Sequence, residues 1–406
     1  MGVPLLGFAL ALLVMIMRRP EIITHAQFWA EDGRNWYAEA YNGGPISSLL
    51  YPHTGYFQTY PRLAMALALA VPMQWAPLVS NLLSLCVRAA LVAFLLTTRL
   101  QWASIAARAA VAAYIVLMPG IGEVHANATN TQWYLGLYLL AVAVAEPPRR
   151  PAWRVHDALI FILGGLSGPF VIFVAPVLVW RQVVTWRATR NLIAATGDPL
   201  VWLALALALL QGVTILATKG RGDSPLGDSL PLLAHILSLR IFIGFAVPER
   251  WIGPLAGNLG LMVAGLLWGI SVLAVVLWRG GWRMRSIVLF GALMLAAALS
   301  SPVGSGDAAA WPFMLLSDAR YFVVPNVIFA TAVVCAATQL TAHMRLPACA
   351  VGGALVLLGC LFDFRLAPLP DLDFPAAAAG FSAAASGTRV DLPILPPGWH
   401  MTLVRH

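Results

Sequence analysis

The chain has 406 residues, 60% of them hydrophobic and only 10% charged, with a mean hydropathy of +0.81. Those values exclude a soluble globular domain and indicate a multi-span membrane protein. The formal charge of +8 does not indicate nucleic-acid binding. Nearly all the cations are Arg in short loops between apolar runs, where positive charge sets topology. Period-two alternation is absent, so a membrane barrel is unsupported. Cys86, Cys335, Cys349 and Cys360 lie within apolar runs without metal-ligand spacing and read as small buried hydrophobes.

Taken in order, the first apolar run spans residues 3–17 and lacks a basic n-region and a small-residue cleavage site, so it reads as a membrane helix. Residues 18–76 follow as a long polar and aromatic loop. It carries Glu31 and Asp32 side by side among Trp29, Trp36, Tyr37 and Tyr41, then His53 and Tyr56, then a short apolar helix near 61–73. Further spans are expected at 77–98, 103–119 and 131–145, followed by a basic loop with Arg149, Arg150 and Arg154. Residues 155–180 read as two half-length helices broken at Gly164–Pro169, a break that must line a cavity or reach water.

Later spans are expected at 199–218, 255–277, 286–301, 320–340 and 347–362, giving about eleven in all. The Arg-bearing loops place the N-terminus inside and the 363–406 tail outside. The external segments are then 18–76, 120–130, 219–254 and 302–320. Only Glu146, Asp157 and Asp198 fall at the inner face, and every other acid falls outside. The fold class is thus all-α and polytopic, with external juxtamembrane helices, a membrane domain over 1–362 and a short packed tail. No internal repeat is visible.

This topology gathers the unusual polar residues on one side: Glu31, Asp32, His53 and Tyr56; Glu123, His125, Asn127 and Asn130; Lys219, Arg221 and Arg240; Arg320 and Tyr321. Ionisable groups beside hydrocarbon are costly and kept mostly for function. Each also has a plainer reading, as a headgroup anchor, an interfacial cap or part of an aromatic belt. A carboxylate beside a second carboxylate and a low-dielectric wall suits a general base. Asp32 is the first choice, with Glu31 as alternative or orienting partner. Oxygen ligands for a divalent cation such as Mg or Mn are present, but their spacing specifies none.

The set Trp29-Ala30-Glu31-Asp32-Gly33, Tyr60-Pro61-Arg62, Asn127-Ala128-Thr129-Asn130, Leu166-Ser167-Gly168-Pro169, Arg320-Tyr321 and Pro396-Pro397-Gly398-Trp399 resembles a bacterial branch of the C-type glycosyltransferase superfamily. The resemblance covers most of the chain through short motifs. It implies a multi-pass enzyme of the bacterial inner membrane with its site facing the periplasm. Such an enzyme moves a sugar from a polyprenyl-phosphate carrier to a glycan or lipid acceptor of the cell envelope, such as lipopolysaccharide. Arg320-Tyr321 would then stand at the lipid-phosphate position. Many members carry a large soluble C-terminal domain; here the last expected span is followed by the 363–406 tail, and acceptor recognition is expected to rest on membrane-proximal loops. A lipid-linked-sugar flippase or transporter, and an O-antigen-ligase-like enzyme, are the competing readings.

Overall fold

A computed structural model describes residues 2–49, 51–191, 196–218, 225–302, 308–340 and 342–406. The protein is mostly helical, and its long helices form a bundle: α1 (Gly2–Arg18), α2 (Thr59–Ala68), α3 (Ala76–Leu95), α4 (Ile105–Leu117), α5 (Thr131–Ala143), α6 (Pro151–Gly165), α7 (Phe170–Thr189), α8 (Pro199–Ala217), α9 (Leu259–Arg279), α10 (Trp282–Ser300), α11 (Val323–Gln339) and α12 (Ala342–Phe362). Local chemistry sets several starts. Ser104 accepts from the Ala107 amide at 3.2 Å, and Asp198 accepts from Leu200 at 3.0 Å just ahead of Pro199.

Six segments among the described residues are long and apolar enough to cross a membrane: Met73–Leu95, Phe170–Thr189, Pro199–Ala217, Leu259–Arg279, Trp282–Ser300 and Ala319–Gln339. The expected eleven spans are therefore met only in part. The chain is a multi-pass membrane protein by these helices. α5 and α9 differ in their surroundings. All thirteen residues of α5 are buried, so it lies inside the bundle, whereas α9 turns Leu259, Val263, Leu267 and Ile270 outward, as a lipid-facing helix does. α2 has ten residues, too few to span.

Two expectations are corrected. The helices of the 155–180 hairpin are not half-length: α6 has 15 residues and α7 has 20. They run on because the backbone freed between them finds partners elsewhere. Gln211 of α8, fully buried, donates through Nε2 to the carbonyls of Gly165 (2.9 Å) and Gly168 (3.2 Å), and its Oε1 accepts from the Phe57 amide at 3.0 Å. Ser167 Oγ accepts from the Tyr60 amide at 2.7 Å, and the Gly168 amide donates to Phe57 O at 3.1 Å. The first loop is stitched to the break in place of water.

The second correction concerns 219–254, expected as a loop. Its described part holds Leu230–His235 and a π-helical turn, Ile236–Phe242, with Ser238, Leu239, Arg240, Ile241 and Phe242 buried. Ser238 Oγ donates to Met262 O of α9 at 2.8 Å, and Phe242 packs over Gly269.

The tail is not a loose appendage. Helix α13 (Phe374–Ala383) and the antiparallel strands β1 (Arg389–Ile394) and β2 (Trp399–Val404) fold back, pairing Asp391 with Thr402. These strands are a departure from an all-α chain. Phe374, Phe381, Leu392, Ile394, Met401 and Leu403 share a buried core with Phe28, Trp36 and Tyr37 of the first loop. Backbone bonds seal the joint: the Ala30 amide donates to Leu395 O, and the Leu395 amide to Phe28 O at 3.0 Å. Gly33 is required there, because a Cβ would stand 3.0 Å from Phe28 and 3.1 Å from Ile394.

Candidate functional site

At the bundle end where α1, α4, α6 and α10 finish and α5, α7 and α11 begin, the first loop and the tail cover a cavity of about 240 Å³. Aromatic rings wall it: Trp29, Trp36, Tyr56, Trp133, Tyr321 and Trp399. Its polar lining includes Glu31, His53, Gln58, Glu123, Asn130, Gln132 and Arg320. Of the residues singled out from sequence, Glu31, His53, Tyr56, Glu123, Asn130, Arg320 and Tyr321 meet here.

The acidic pair divides. Ala30 takes a positive φ of 42°, and a π-helical turn, Asp32–Tyr37, begins directly after Glu31. Asp32 turns inward and is 1% exposed. Its Oδ1 accepts from the Thr129 amide (2.8 Å) and hydroxyl (2.6 Å), and its Oδ2 from the Ala128 amide (2.8 Å) and Ser80 Oγ (3.4 Å). Burial pushes the Asp32 carboxyl up to about 6, while the Thr129 and Ala128 donors pull against that shift. With both oxygens occupied and no face on the cavity, Asp32 is built to pin the first loop to the 127–130 loop. Of the pair, Glu31 and not Asp32 is therefore the carboxylate placed to meet a ligand in the cavity. The Glu31 carboxylate faces the cavity, half-buried, with no hydrogen-bond partner among the described residues.

Supports fix the walls. Trp36 Nε1 donates to Thr129 Oγ1 at 2.9 Å, and the guanidinium of Arg62, 4.8 Å above the Trp36 ring, is paired with Glu39 at 2.5 Å. His53 packs edge-on to Trp36 at 4.8 Å and accepts at Nε2 from Asn35 Nδ2 at 3.2 Å. Burial lowers the pKa of His53, against the pull of Glu39. Arg320 is bracketed by carboxylates, Nη1 to Glu123 at 2.5 Å and Nη2 to Asp318 at 3.1 Å. Burial raises the Asp318 carboxyl against the pull of Arg320.

Other candidates lie elsewhere. His125 is 3% exposed; its Nε2 donates to Met15 O at 3.1 Å, and burial beside Arg88, Arg18 and Arg19 drives its pKa well below the usual histidine range. Asn127 holds its own loop, donating to Glu123 O at 2.8 Å and accepting from the Asn130 amide at 2.9 Å. Arg240 faces Glu249 at 3.5 Å and donates to Ser317 O at 3.2 Å, in a separate small pocket beside Phe322. Lys219 and Arg221 lie outside the described residues. Among the described residues no cluster of three or more His, Cys, Asp or Glu converges on a metal position.

Sequence reasoning missed two contributors. Gln211 carries no motif, and Trp399, though part of a quoted motif, had no role until the tail folded against Trp29. Set beside protein-family models, curated proteins and solved structures, the chain matches none, so the family resemblance rests on its motifs alone.

Proposed function

We propose that the protein is a membrane glycosyltransferase using a polyprenyl-phosphate sugar and acting on a cell-envelope glycan or lipid at the periplasmic face of a bacterial inner membrane. One observation supports this reading most: an unpartnered carboxylate, Glu31, and a guanidinium, Arg320, share a cavity walled by aromatic rings. Rings stack on sugar faces, Arg320 neutralises a leaving phosphate, and Glu31 takes a proton.

In this reading the acceptor hydroxyl oxygen attacks the anomeric carbon as its proton passes to Glu31. The bond from that carbon to the phosphate oxygen breaks, and the electron pair leaves with the lipid phosphate. A single direct displacement inverts the anomeric centre, and no second carboxylate is needed as a covalent nucleophile. Glu123 and Asp318 orient Arg320, and Asp32 positions Glu31 through the backbone.

The test is turnover of short-chain polyprenyl-phosphate sugars by purified protein. Glu31→Gln should lose turnover at an unchanged Tm, whereas Asp32→Asn should lose turnover and stability together. Full activity in Glu31→Gln would remove the assigned base. Donor binding with no turnover in the wild type would favour a flippase.

A further inference from the structure

At the opposite end of the bundle a second cavity of about 480 Å³ opens between α4, α10 and α11, with α5 as its floor. Its body is hydrocarbon, including Leu95, Val111, Leu140, Ile287 and Val334. Its mouth is polar, with Trp102, Ser104, Arg108 and Arg283. Arg108 directs its guanidinium at the carbonyls of Leu95, Thr97 and Ala103. Arg283 donates from Nη2 to Glu146 at 2.8 Å and lies 5.6 Å from the Trp102 ring and 5.1 Å from that of Trp282.

Two donors at this mouth are unspent. Trp102 Nε1 and Arg283 Nε are both buried with no partner among the described residues. Indole and guanidinium N–H groups only donate, so the pair calls for a group that only accepts, and beside Arg an anionic oxygen is the strongest. The long apolar crevice behind them calls for hydrocarbon. α10 and α11 both belong to the membrane-crossing set, which makes lipid the adjoining solvent. Trp282 and Arg283 also border a larger cavity, about 970 Å³, lined by Arg154 and Arg181 together with Glu146, Asp157 and Asp198, which gives a headgroup room beyond its phosphate.

We propose that this crevice is a binding site for an anionic phospholipid of the surrounding leaflet. The phosphate accepts from Trp102 and Arg283, and one acyl chain fills the cleft between α4 and α11. Charge complementarity at the mouth and the apolar interior argue for the same occupant. The site is separate from the Glu31 cavity and stands or falls independently of the glycosyltransferase reading.

The test is native mass spectrometry of the purified full chain titrated with phosphatidylglycerol, phosphatidylcholine of the same chains, or inorganic phosphate. A one-to-one phosphatidylglycerol complex is expected, retained at lower concentration than phosphatidylcholine. Trp102→Phe keeps the ring, and Arg283→Lys keeps a cation for Glu146. Each deletes one donor and should weaken retention roughly tenfold, the effect of one charged hydrogen bond. Thr331→Trp, which fills the cleft, should abolish it. Equal retention of the two lipids, indifference to all three variants, or equal binding of inorganic phosphate would overturn the assignment.

Discussion

The two ends of the bundle handle charge differently. At the end away from the candidate site, Asp157 accepts from two Arg99 nitrogens (3.2 and 2.8 Å) and from His156 Nδ1 at 2.9 Å, and Tyr138 Oη bonds the other ring nitrogen, Nε2, at 2.9 Å. Asp198 meets Arg181 at 2.5 Å, and Glu146 meets Arg283 at 2.8 Å. At the cavity end Glu39 and Glu123 are likewise paired, but Glu31 is left facing a hollow. Paired charges fix helix positions, because separating them strands a buried ion. A carboxylate held open by its neighbours is available to a substrate. The comparison therefore sets the Glu31 carboxylate, open to the cavity, apart from the paired acids that hold the helices together.

Four measurements sharpen or break that division. The largest effect is expected from Glu31→Gln: turnover lower by roughly 10²–10⁴-fold, as for loss of a general base, with the melting curve unmoved. Asp157→Ala, at the other end, should do the reverse. Removing one member of a pair in which Asp157 is 2% exposed strands Arg99 and should cost about 3–5 kcal/mol in denaturant unfolding, with the Michaelis constant of the folded fraction unchanged. If Asp157→Ala instead removed turnover at full stability, the division by ends would fail.

Gln211→Leu should be milder, about 1–3 kcal/mol, because it orphans the Gly165 and Gly168 carbonyls and the Phe57 amide. Since Pro169 and Phe170 border the cavity, it should also raise the Michaelis constant. The fourth measurement is a pH dependence. The folded Asp32 carboxyl is raised from 3.8 to about 6, so folding favours its protonated form. Its contribution to stability is complete below the unfolded value and is lost as pH rises through about 6. Thermal melting across that window should show the decline in the wild type, and Asp32→Asn should flatten it. An identical slope in both proteins would move the titration elsewhere.

Much of the site was legible in the sequence. An acidic pair among Trp and Tyr residues just past an apolar run marked the first loop, and Arg320-Tyr321 marked the start of α11; both reach one cavity. The division of labour within the pair was not legible, because neighbours in sequence carry no signal of which will turn inward. The positive φ of Ala30 and the π-helical turn make that choice, and Thr129, 97 positions away, rewards it. His125 misled for a similar reason. Ala126, at φ 58°, redirects the chain, so a histidine two residues from Glu123 lands against α1.

Sequence by itself determined the solvent, since a chain this apolar cannot bury its hydrocarbon alone and must share it with lipid. It also determined most helix boundaries, through Pro, Gly and capping side chains, and which loops were rich in chemistry. Tertiary structure decided which helices are central and which face lipid, because hydropathy reads α5 and α9 alike. It placed Gln211 between Gly168 of the break, 43 residues away, and Phe57 of the first loop, 154 residues away, and brought Trp399 against the first loop. It left Glu31 open while saturating Asp32. These outcomes depend on hydrogen bonds and packing between segments far apart in the chain, and such pairings exist only once the bundle has closed.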